Sequence, residues 1–113
     1  MADSRPNLVL LEEPENGIHP RALKPFMYFL RNCLDQENIQ ILVTSHSPYL
    51  VDYLSPEETF LTRRKSGFTE AVRMDKLPDI NNWMENLSIG ELWTMGGEDE
   101  LIRRITDNKA DNE

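Results

Sequence analysis

Three residues of this sequence combine a reactive side chain with a setting that could use it: Glu12 and Glu13, adjacent at the end of the apolar run Leu8 to Leu11, and His46, which follows a second apolar run. Two neighbouring carboxylates repel, so one or both need a cation or a proton. A magnesium ion would supply the cation. An imidazole can donate through one nitrogen while accepting through the other, which suits it to bridge a phosphate oxygen and a neighbouring group.

The elements that must position these groups follow from the same stretches. Four consecutive aliphatic residues, Leu8 to Leu11, predict a parallel strand covered on both faces. Ile39 to Thr44, IQILVT, predicts a second strand. Between them Leu23, Phe26, Met27, Leu30, Cys33 and Leu34 recur at helical spacing as far as about Asp35. Pro20 suits a first helical turn, and Pro25 either starts the helix late or breaks one of its hydrogen bonds. Strand, helix and strand over this length make a βαβ unit, whose two strand ends can be neighbours. Ligands of open α/β sheets bind at those ends. Glu15-Asn16-Gly17 is turn chemistry, with Gly17 expected to supply a positive φ.

The sequence from Leu8 to Pro20, LVLLEEPENGIHP, together with Thr44 to Pro48, TSHSP, resembles the Walker B segment and H-loop of ABC-type P-loop ATPases. It is most similar to the DNA-repair and phage-defence branch, which includes RecF-like, structural-maintenance-of-chromosomes and overcoming-lysogenization-defect ATPases. The resemblance implies that Glu12 holds magnesium through water, although the family usually has Asp there. It further implies that Glu13 polarises the water attacking the γ-phosphate of ATP and that His46, beside Ser45, contacts that phosphate. His19 occupies the position of the D-loop acid, with helix capping as its alternative. A zinc or manganese site built from Glu12, Glu13, His19 and His46 is a further alternative. Against it, adjacent strand residues such as Glu12 and Glu13 point to opposite faces.

Leu87-Ser88-Ile89-Gly90-Glu91 resembles the ABC signature but lies on the wrong side of the H-loop. Ser88 with Glu91 three residues on reads more simply as a capping box. Nothing in the sequence matches G-x-x-x-x-G-K-[ST], the loop that cradles triphosphate. The implied fold is therefore α/β: a partial P-loop NTPase of the ABC-ATPase head type, with a mostly parallel sheet, flanking helices and a C-terminal region of small helices. Residues 1–106 correspond to the C-terminal half of such a domain, and 107–113 to a disordered acidic tail. The function implied is ATP binding and hydrolysis once a segment bearing the missing half completes the site. The alternative is a non-catalytic interaction module that keeps the fold.

Downstream, Ser47 and Pro48 predict a short capped helix to about Leu54, and Ser55-Pro56-Glu57-Glu58 a similar turn. Thr59 to Arg64 and Phe68 to Met74 predict a hairpin around Lys65-Ser66-Gly67. Trp83, Leu87, Leu92, Trp93 and Leu101 carry the apolar content beyond it. Loss of a neighbouring strand would leave 39–44 as an open edge, free to pair with the hairpin or with a second copy of the chain.

At 113 residues the chain has length for one core. Twenty acids against 12 bases give a net charge of -8, which opposes direct phosphate-backbone binding unless the bases are sorted onto one face. Nucleic acid is therefore expected only through a larger complex. Arg63, Arg64 and Lys65 are the one basic cluster and read as a solvated strand end. The single cysteine, Cys33, excludes an internal disulfide and fits a reducing cytoplasm. No apolar run approaches the roughly 20 residues of a membrane span, and the N-terminus lacks a signal-peptide pattern. A cytoplasmic location follows as an expectation.

Overall fold

The computed structural model describes residues 7–111 and divides the chain into two compact units, 1–53 and 54–113, where the sequence predicts one core. In the first unit β1, Leu8–Glu12, runs parallel to β2, Gln40–Thr44, in register from Leu8 opposite Gln40 to Glu12 opposite Thr44. The connection winds through 3-10 turns at Pro14–Gly17 and Pro20–Ala22 into α1, Leu23–Glu37, completing the βαβ unit. Pro25 is the third residue of α1, where a backbone N–H has no intrahelical acceptor, so it breaks no hydrogen bond. α1 buries Leu23, Met27 and Leu30, a stripe at i, i+4 and i+7, and packs against β2. Asn38 ends it in the left-handed conformation, φ 51°.

The strands are not covered on both faces. Val9, Leu11, Ile41 and Val43 are half-buried, while Leu8, Leu10 and Leu42 on the opposite face are exposed, Leu10 at 67% and Leu42 at 58%. A two-stranded parallel ribbon has elements enough to cover one side only, and apolar runs of this kind belong to sheets with both faces packed. α2, Pro48–Val51, follows β2. As expected, the Ser47 hydroxyl accepts the Leu50 amide proton, although the helix ends before Leu54.

The second unit opens with the Ser55 to Glu58 capping box and a hairpin, β3 Phe60–Lys65 and β4 Phe68–Arg73. The loop is tighter than the sequence suggests. Lys65 pairs with Phe68, leaving Ser66 (φ 52°) and Gly67 (φ 84°) as a two-residue turn of the type that matches strand twist. Among the described residues β3 and β4 pair with each other as an antiparallel two-stranded sheet.

α3, Ile80–Trp83, and α4, Ile89–Asp111, complete the unit. α4 is two helices joined at Gly97, whose φ 77° and ψ 157° lie in a region essentially confined to glycine, so the expected small helices are present with their break at the glycine pair. Ser88 and Glu91 form the reciprocal capping box, each side chain meeting the other's amide. Met74 and Ile102, fully buried, sit with Leu61, Leu77, Ile80, Ile89, Leu92, Leu101 and Ile105 among the unit's buried residues. Leu92 and Leu101 are buried as expected, but Trp83 is 40% exposed. The helix runs past the expected boundary at 106 as far as Asp111, with Arg103 linking Glu100 to Asp107 across successive turns. Residues 112–113 of the expected tail, like the N-terminal residues 1–6, lie outside the described residues. No helix among the described residues is long and apolar enough to cross a membrane.

Two outcomes test this arrangement. Replacing Gly97 with Ala introduces a Cβ that meets no neighbour, so any loss is backbone strain, about 1–3 kcal/mol in urea unfolding. Arg103 and Arg104, by their hydrogen bonds, hold the Glu100 carboxyl down at about 2. A depressed folded value stabilises fully above the unfolded value of 4.5 and is lost as pH falls through about 2. The Tm difference between the wild type and Glu100→Gln should therefore be constant near neutrality and shrink over that acid range.

Candidate functional site at the strand ends

The parallel ladder extends one residue beyond β1, where the Glu13 amide donates to the Thr44 carbonyl at 2.8 Å. Glu13 itself is left-handed, φ 45° and ψ 55°, and begins the 3-10 turn Pro14–Gly17. The positive φ expected at Gly17 is thus at Glu13. The 3-10 turn is right-handed, so the chain reverses before it and Gly17 needs no special conformation. A non-glycine residue held there costs on the order of 1 kcal/mol or more, and such strain gathers at functional sites.

This backbone brings the two predicted groups together. His46 Nε2 lies 3.3 Å from Glu13 Oε1, with the imidazole 87% and the carboxylate 37% exposed. Contact between such open groups adds little to stability. Catalytic pairs are often loosely aligned before substrate arrives. Asn16 Nδ2 approaches the other Glu13 oxygen at 3.5 Å.

Behind this pair is a contact that the sequence did not reveal. Ser45 Oγ donates to Glu15 Oε1 at 2.7 Å and accepts the Ser47 amide proton at 2.9 Å, tying the loop after β1 to the loop after β2. The second oxygen, Glu15 Oε2, is buried without a hydrogen-bond partner. Reading Glu15 only as a turn residue hid this role. The serines flanking His46 were the sole hint, since one hydroxyl beside a strand end can as easily cap a helix.

Glu12 and His19 stay apart from the pair. Glu12 ends the exposed row Leu8, Leu10, Glu12, opposite Thr44, and its side chain enters no hydrogen bond or ion pair among the described residues. His19 caps the Pro20–Ala22 turn, its Nδ1 accepting from the Arg21 amide at 3.1 Å, which in the neutral ring leaves the proton on Nε2. The four-residue zinc or manganese alternative is overturned. Among the described residues no three His, Cys, Asp or Glu side chains converge on one point. Magnesium makes a lighter demand, because it keeps several waters and takes one or two carboxylates alongside substrate phosphates. A free carboxylate at Glu12 fits that demand.

Residues 1–52, an interval holding both strands, Glu12, Glu13, His19 and His46, match the family model described as "AAA domain, putative AbiEii toxin, Type IV TA system". The match supports an AAA-like ATPase domain. Protein ea59 of Escherichia phage lambda is 30% identical over 83 residues, 74% of this chain and 15% of that protein. The OLD nuclease of Thermus scotoductus is 36% identical over 56 residues, 50% of this chain and 11% of the nuclease. The chain thus spans a small part of the length of both relatives. No solved structure matches. Within the AAA-like segment the mixed α/β architecture agrees with a P-loop NTPase-like domain, although its sheet has two short strands.

The Glu15 to Ser45 bond makes the clearest local test. Ser45→Ala leaves a part-buried carboxylate with neither oxygen hydrogen-bonded, so urea unfolding should show a loss of about 1–3 kcal/mol. An unchanged midpoint would mean that the bond contributes nothing to holding the two loops.

Proposed function

We propose that the first unit carries the water-activating half of an ATP-hydrolysis site. The observation that supports this reading best is the 3.3 Å approach of Glu13 and His46 at the C-terminal ends of adjacent parallel strands. Glu13 would act as the base, accepting a hydrogen bond from the attacking water and taking its proton as the bond to the γ-phosphorus forms. The exposed ring of His46 would donate to a γ-phosphate oxygen. A phosphate entering beside it would draw the Nε2 donor away from Glu13 and leave that carboxylate free for the water. Glu12 would hold magnesium through water, and an ion bound there neutralises phosphate charge. Ser45, with its hydroxyl fixed by Glu15, and His19, through its Nε2–H, would border the nucleotide.

A segment bearing the phosphate-cradling loop would complete the site, and the exposed Leu8, Leu10 and Leu42 offer it a surface to pack on. Self-association through the same strands is the other way of covering them. That bare apolar face also favours the second reading, an interaction module without turnover.

The purified chain alone should hydrolyse no magnesium–ATP above background, since most of the binding energy for the triphosphate is missing. In a complex that restores turnover, Glu13→Gln should slow it by about a hundredfold or more, and His46→Ala should impair turnover more than nucleotide binding. An unaffected rate in Glu13→Gln would remove Glu13 from the mechanism. A completed complex that binds ATP but never turns it over would favour the interaction module.

A further inference from the structure

Asn16 is followed by Gly17, the one Asn-Gly pair in the sequence, and both residues are exposed. The pair lies in the Pro14–Gly17 turn that Glu13 begins, and the Asn16 side-chain amide approaches Glu13 Oε2 at 3.5 Å. An asparagine side chain can be attacked by the peptide nitrogen that follows it. The next residue's side chain ordinarily crowds that nitrogen, and glycine has none. The surroundings of Gly17 are open too, since a Cβ built there would meet nothing within 4 Å. The backbone adds little protection. Attack requires rotation about the Cα–C bond of Asn16, out of the 3-10 geometry. The turn buries none of its residues, so opening it forfeits almost no packing. The Glu15 to Ser45 bond that fastens this loop lies before the bond that rotates.

We propose that Asn16 is a deamidation site whose products place negative charge against Glu13. The Gly17 nitrogen, its proton lost to hydroxide, forms a bond to Asn16 Cγ. The bond from Cγ to Nδ2 breaks, and ammonia leaves with a proton from water, closing a succinimide ring. Water then adds to either ring carbonyl and breaks its bond to the nitrogen. Opening at Cγ gives aspartate, and opening at the main-chain carbonyl gives isoaspartate. Hydroxide and water are the only reagents, so the step needs no oxidant and no cofactor. Either product exchanges the donor beside Glu13 for an acid, and like charges so placed repel. Isoaspartate also lengthens the main chain by a methylene inside the turn that Glu13 begins. The chain's other asparagines all precede bulkier residues, such as Ile39 after Asn38 and Trp83 after Asn82, and serve as internal controls. The modification does not depend on ATP hydrolysis; only its cost to turnover rests on the role proposed for Glu13.

Incubating the whole chain in mildly alkaline buffer and mapping its peptides by mass spectrometry tests this. The peptide spanning Asn16 should convert before any other asparagine, to a mixture of aspartate and isoaspartate that chromatography resolves. Gly17→Ala should slow the conversion about tenfold or more, because the added Cβ crowds the attacking nitrogen. That variant should keep the turn, since Gly17 has no positive φ and its Cβ has room. The rate in the folded chain should lie within about tenfold of the rate in urea, as befits a turn that opens at little cost. In the modified chain the ring resonances of His46 should move, because the carboxylate it touches has a new charged neighbour. Conversion at Asn16 no faster than at the other asparagines would overturn the proposal. So would aspartate without isoaspartate, or indifference to Gly17→Ala, either of which means direct hydrolysis. A folded rate more than about tenfold below the urea rate would also overturn it, by showing that the turn protects Asn16. Unmoved His46 resonances would overturn the effect on Glu13.

Discussion

One backbone hydrogen bond underlies the candidate site: the Glu13 amide on the Thr44 carbonyl. It adds a last rung to the parallel ladder beyond the end of β1 and thereby fixes where the chain turns away. A slip of the register by one residue would send Glu12 to the opposite face and part Glu13 from the residue two positions after Thr44. The Ser45 to Glu15 bond repeats the constraint one layer out, fastening the two loops to each other through side chains. Together these bonds over-determine a strained residue, the condition under which a left-handed glutamate persists.

Much of this was legible. Apolar runs of strand length, helical spacing between them and a proline beside a serine cap gave the βαβ unit and the capped turn after it. The pairing of Glu13 with His46 followed from placing both at ends of adjacent strands. What escaped was information carried by distant residues. Burial on one face of a sheet depends on what else packs there, and the run Leu8 to Leu11 cannot tell whether its second cover is present. Likewise, Glu15 resembles any turn glutamate until the loop after β2 is folded against it. The paired glycines did mark a break, since Gly97 parts the helical residues before it from those after it, whereas Gly90 is helical within the first of them.

The two units use acids and bases in opposite ways. At the strand ends Glu13 meets His46, and Glu15 keeps one oxygen buried without a partner. In the hairpin the acids Glu70 and Asp75 restrain Arg63 and Arg73 and so leave the tip as the unneutralised part. Net charge alone would have hidden this segregation, since a sum over the chain erases it.

The turn at Ser66 and Gly67 also bears on the order in which the chain folds. Its two strands meet across a loop of two residues, so pairing proceeds residue by residue with little entropy lost at each step. The ladder between β1 and β2 cannot start until Leu8 finds Gln40, with all of α1 still to be arranged between them. Contacts so distant in sequence form more slowly than local ones. The hairpin, later in the chain, therefore pairs its strands before β1 and β2 do. The strands that hold Glu13 and His46 then spend longer unpaired, and their apolar residues are longer exposed to other chains.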